Sequence, residues 1–128
     1  MMPEEQERLA RIERELWAKI REYQTSGGKV RNVRMAEKYG GRSGTYFNSS
    51  SRTACLIGLY AGVDSPYWHE PIMAMFKLTR EEAAHLEFGF ECYRVDATRF
   101  TFQPFYQLGR SIGEKLEEEE EAAHGSGL

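Results

Sequence analysis

Apolar positions recur with a helical period through the first quarter of the chain. Leu9, Ile12, Leu16, Ile20 and Tyr23 follow one another at steps of three or four and draw one apolar stripe, while Arg8, Arg11, Glu15, Lys19 and Glu22 take the opposite face. Pro3 is a favoured first helical residue, and Glu4, Glu5 and Glu7 place negative charge at the positive end of the helix dipole. Thr25, Ser26, Gly27 and Gly28 stop the pattern with turn-forming residues. These signals predict an amphipathic helix over residues 1–26. They also leave its stripe in need of cover, either from the chain itself or from a second copy.

The period is lost from residue 27 to residue 51. Between Lys29 and Arg52 stand six bases (Lys29, Arg31, Arg34, Lys38, Arg42 and Arg52) and one acid, Glu37. Gly40, Gly41, Gly44 and Ser49 to Ser51 favour turns, so residues 27–51 read as a long, basic, Gly/Ser-rich connector. Residues 52–116 read as a helical core. Arg52 to Gly62 is apolar around most of its circumference and predicts a short, buried central helix. Asp64, Ser65 and Pro66 predict a turn, and Pro71 opens a short helix carrying Ile72, Met73, Met75 and Phe76.

Thr79 and Glu82 spell a capping box ahead of a helix that turns Ala83, Leu86 and Phe90 inward and frays near Cys92 or Tyr93. Arg99 to Phe102 alternates polar and aromatic residues, which predicts at most one short strand. After Pro104, Phe105, Leu108, Ile112 and Leu116 form a last stripe, and Gly109 with Gly113 leave a groove one turn apart into which another helix fits closely. Residues 117–128, beginning with five consecutive glutamates, read as an acidic, flexible tail with nothing apolar to dock. The expected fold class is therefore mainly α: a small single domain with a long N-terminal helix.

Composition narrows the class further. A chain of 128 residues with 41% hydrophobic residues is long enough for one domain with its own core. No apolar run approaches the ~18 residues of a membrane span, and two cysteines form neither a disulfide framework nor a zinc module, so a cytoplasmic protein without membrane contact is expected.

The segment Thr53-Ala54-Cys55-Leu56-Ile57-Gly58 with Ala61-Gly62, followed by Leu78-Thr79 with Glu82-Ala83 and Leu86, resembles a family of small uncharacterised bacterial and phage proteins. That family pairs a TAC-apolar-x-G helix with an L-T-x-E-E-A-x-x-L segment. The resemblance implies a compact helical domain of bacterial or phage origin and brings no established activity. The chain departs from that pattern ahead of the TAC motif, where Asn48 and serines stand in place of a second cysteine.

Candidate chemistry is sparse. Cys55 with His69 or His85 is the nucleophile–base combination the chain offers, but its apolar neighbours favour a buried, inert thiol. Cys55, His69, His85 and Cys92 lack the spacing of a standard metal site, and Glu87 and Glu91, one helical turn apart, read as a solvated face. No phosphate-binding glycine loop is present. The sequence thus names no catalytic residue, metal or cofactor.

Two features remain. One is the set of bases and rings Lys29, Arg31, Arg34, Lys38, Tyr39, Arg42, Tyr46 and Arg52, which suits phosphate contacts with base stacking, although the chain's net charge of −3 runs against a dedicated nucleic-acid domain. The other is the stripe Leu9, Ile12, Leu16, Ile20 and Tyr23 as a homodimer seam. The expectation is a noncatalytic interaction or regulatory protein that pairs with itself and with another protein. A nucleic-acid accessory protein using residues 29–52 is the alternative, and an enzyme using Cys55 comes third.

Overall fold

The computed structural model describes residues 1–42, 45–62, 68–91 and 101–125. It is mainly helical, as the periodicity predicts. The elements run α1 (Pro3–Thr25), β1 (Lys29–Val30), α2 (Val33–Tyr39), β2 (Phe47–Asn48), β3 (Thr53–Ala54), α3 (Gly58–Ala61), α4 (Glu70–Phe76), α5 (Arg80–Glu91) and α6 (Pro104–Gly125).

Helix α1 ends through Gly27, whose φ of 94° only glycine adopts at little cost. That turn lets the Gly28 amide reach the Tyr23 carbonyl and the Gly27 amide the Gln24 carbonyl, the paired bonds of a Schellman ending. The chain therefore reverses sharply into β1. Ile12, Leu16 and Ile20 are fully buried against the rest of the same chain. The stripe is core, and it is not a free seam for a second copy; the homodimer expected through it loses its apolar surface.

Helices α5 and α6 are the tightest pair. The capping box forms as spelled, with the Glu82 amide donating to Thr79 Oγ1 at 3.0 Å and the Thr79 amide donating to Glu82 Oε1 at 2.9 Å. The two helices then approach backbone to backbone through Gly89, Gly109 and Gly113; a Cβ on Gly113 would lie 2.8 Å from the Phe90 carbonyl oxygen. Phe90, Leu86, Ile112 and Leu116 join the α1 stripe, Leu56, Ile57 and Ile72 in one core.

Four expectations are corrected. The central helix predicted over residues 52–62 is buried but is mostly not helix: Thr53 and Ala54 form β3, and only Gly58–Ala61 make a helical turn. Among the described residues three short strands form, in the order β1-β3-β2, with β1 parallel and β2 antiparallel to β3, where at most one was expected. Two-residue strands carry no alternation that a sequence pattern can register. The described residues of the connector carry β1, α2 and β2, and the Asn32 side chain caps α2 by accepting from the Met35 amide at 2.8 Å. Of the expected acidic tail, residues 117–125 are the end of α6, and residues 126–128 lie outside the described residues. Of the strand predicted near Arg99, residues 99–100 lie outside the described residues and residues 101–102 form a turn. The turn at Asp64 to Pro66 and the fraying at Cys92 and Tyr93 also lie outside them.

Candidate functional site

The bases of the connector divide into two groups that the sequence could not separate. Arg42 is internal. Its Nη1 and Nη2 donate to the two carboxylate oxygens of Glu91 at 2.9 and 2.6 Å, and its Nε and Nη1 donate to the carbonyls of Thr45 and Arg31 at 2.9 and 2.8 Å. The two side chains are 5% and 1% exposed, so this is a buried ion pair joining the connector to α5. Desolvation raises the Glu91 carboxyl above its ordinary range, and Arg42 pulls the other way. Glu87, one turn earlier, is also buried and lies 2.7 Å from His69 Nε2. The solvated carboxylate face expected at Glu87 and Glu91 is therefore internal. Tyr46 packs on Trp68 and His69 with ring centroids 5.3 and 5.7 Å away. Arg52 clamps the end of α1, donating to the Ser26 carbonyl at 2.6 Å and to Ser26 Oγ at 2.9 Å. Arg42, Tyr46 and Arg52 thus hold the fold together.

In the second group Arg34 and Lys38 face outward, and Arg31, its side chain 6% exposed, is buried. Arg31, Arg34 and Lys38, from the end of β1 and from α2, line up beside Arg21 of α1, and the end of α6 lies across them. Arg21 donates through both Nη atoms to the two carboxylate oxygens of Glu119 at 2.8 Å. Arg31 Nε donates to Glu120 at 2.6 Å, Arg34 Nη2 donates to Glu117 at 2.7 Å, and Lys38 Nζ stands 3.6 Å from Glu121. Arg31 is also anchored by the carbonyls of Tyr39 and Gly40 at 3.2 and 3.0 Å. The Arg21 guanidinium holds the Glu119 carboxyl below the usual carboxylate range. Beyond Glu121 the His124 ring lies flat on Tyr39, with centroids 4.2 Å apart and planes 10° from parallel.

This covering contact is polar. The last buried apolar residue of α6 is Leu116, and residues 121–125 are exposed. Beside the helix end, Val30, Met35, Leu116 and Ala123 line an open cleft of about 210 Å³. Lys29 is exposed beside it. Arg21 and the five glutamates were absent from the sequence-derived site. Their partners lie 83 to 98 residues away along the chain for Arg34–Glu117 and Arg21–Glu119, a separation that leaves no local signal.

The remaining candidates are placed as follows. Cys55 is fully buried, desolvation pushes its thiol up to about 12, and its Sγ accepts from the Gly58 amide at 3.3 Å. A thiol held so firmly neutral is a poor nucleophile at neutral pH. Among the described residues, no group of three or more His, Cys, Asp and Glu side chains is placed to hold a metal ion. Nor is any helix long and apolar enough to cross a membrane. A separate cleft of about 400 Å³ lies between the starts of α1, α5 and α6, but the Arg8 guanidinium in it is already engaged by both carboxylate oxygens of Glu82. No family model, curated protein or solved structure matches the chain.

Proposed function

We propose that the protein is a noncatalytic accessory protein that binds an anionic macromolecule through the face formed by Arg21, Arg34 and Lys38, with Arg31 buried at the Glu120 contact. One observation carries this reading: the exposed cations of α1 and α2 converge on one surface, and what covers them is a row of carboxylates held by charge. Cations gathered for structure alone sit in contacts like those of Arg42, internal and saturated by carbonyls. Arg21, Arg34 and Lys38 instead have side chains 48%, 54% and 61% exposed, while Arg31, at 6% and held by two carbonyls, is as internal as Arg42. Such exposed pairs hold weakly and are screened by salt, so an external polyanion competes for the same groups.

Retention on immobilised heparin tests the reading. Neutralising the cover with Glu117→Gln, Glu119→Gln, Glu120→Gln and Glu121→Gln should raise the salt needed for elution. Adding Arg34→Glu and Lys38→Glu to that variant should abolish the gain. Elution that ignores both sets of changes overturns the assignment.

A further inference from the structure

The cover imitates more than charge. Glu117, Glu120, Glu121 and His124 fall at i, i+3, i+4 and i+7 of α6 and so share one side of the helix, with Cβ atoms about 5–6 Å apart. On that side three carboxylates meet Arg34, Arg31 and Lys38, and the fourth position places a flat heteroaromatic ring in parallel stack on Tyr39. The Arg31 guanidinium and the Lys38 ammonium also lie 5.5 and 5.3 Å from the centre of the Tyr39 ring, so the stacking platform is ringed by the same cations. Anionic groups in register followed by one stacked ring is the chemical pattern of a single strand of nucleic acid. A duplex keeps its bases stacked on one another and has no ring to offer Tyr39. An acidic peptide supplies the carboxylates but has no required ring at that place.

Building on the polyanion-binding face proposed above, we infer that its partner is single-stranded nucleic acid and that the last two turns of α6 are a displaceable occupant of that site. Phosphates take the positions of Glu117, Glu120 and Glu121, and a base takes that of His124 on Tyr39. The overall acidity of the chain then ceases to be an objection. The five glutamates at positions 117–121 account for more than its whole net charge of −3, and they belong to the occupant and not to the face.

Fluorescence anisotropy with a labelled oligothymidylate of about 20 nucleotides tests this on the full chain. The four-glutamine variant should bind at least about tenfold tighter than the wild type, because it no longer populates a covered state. Its affinity should fall with salt at a logarithmic slope of about −2, the value for three phosphate contacts on a single strand. Adding Tyr39→Ala should then weaken binding at least about fivefold while heparin retention stays unchanged.

In the unmodified chain, saturating oligothymidylate should speed amide exchange over residues 117–125 and leave residues 105–116 protected. That readout does not depend on how well the variants fold. Equal binding of a duplex of the same length, indifference to Tyr39→Ala, or unchanged exchange at residues 117–125 would each overturn the single-strand assignment. If heparin retention still depends on Arg34 and Lys38 in that event, the general anion-binding face survives. If the four-glutamine variant binds neither probe, both readings fail together.

Discussion

Replacing Arg42 with methionine isolates the energetics of the buried pair. Met matches the length of the Arg stem but donates nothing, so the substitution strands the Glu91 carboxylate, 1% exposed, and strips donors from the carbonyls of Arg31 and Thr45. Removing one partner of a buried ion pair costs about 3–5 kcal/mol, because the remaining charge has lost its water and its counterion. A small domain has about 5–15 kcal/mol in total, so this loss is a large share of it. With an unfolding entropy of about 2.1 cal/mol/K per residue, a loss of about 4 kcal/mol in a chain this size lowers the melting temperature by about 15 °C.

Urea unfolding followed by circular dichroism measures it. The double variant Arg42→Met with Glu91→Leu should recover most of the loss, since no charge is left stranded and only the two carbonyls and the Val33 amide lose their partners. The deficit of the single variant should also depend on pH. Desolvation already holds the folded-state Glu91 carboxyl above its ordinary value, and losing Arg42 raises it further. A raised carboxyl contributes stability that is fully present below the unfolded value and lost as pH rises through the folded one. The single variant should therefore fall further behind the wild type at pH 8 than near pH 4.5. A loss below about 1 kcal/mol, or a double variant as unstable as the two single losses added together, would refute the reasoning.

Two other outcomes follow from the same structure. Leu16→Glu places a charge at a fully buried position of the α1 stripe, so it should unfold the domain or cost several kcal/mol by thermal melting; a folded, stable variant would show that the stripe is not core. On the acid side, Arg8 holds the Glu82 carboxyl low and Arg21 does the same for Glu119. Their contribution is present above the unfolded carboxylate value and is lost as pH falls through the lowered folded values, so an acid titration of stability should be shallower in Glu82→Gln than in the wild type.

What the sequence determined by itself was whatever neighbours along the chain decide. The four-residue beat of Ile12, Leu16 and Ile20, the reciprocal cap of Thr79 and Glu82, Pro71 at a helix start and the paired small residues Gly109 and Gly113 all act within a turn or two. Periodicity and capping chemistry therefore locate α1, α4, α5 and the first half of α6 without knowledge of the fold. Tertiary structure alone decided the fate of the charges. Arg42 and Arg34 stand eight residues apart in the same basic stretch, yet one is sealed against Glu91 and the other stays on the surface beside Glu117. Taken singly, each glutamate of the 117–121 run reads as solvated, because burying or fixing a lone charge is unfavourable. Only a fold that brings α6 across the chain's own basic face supplies the partners, and with them a surface for another molecule to contest.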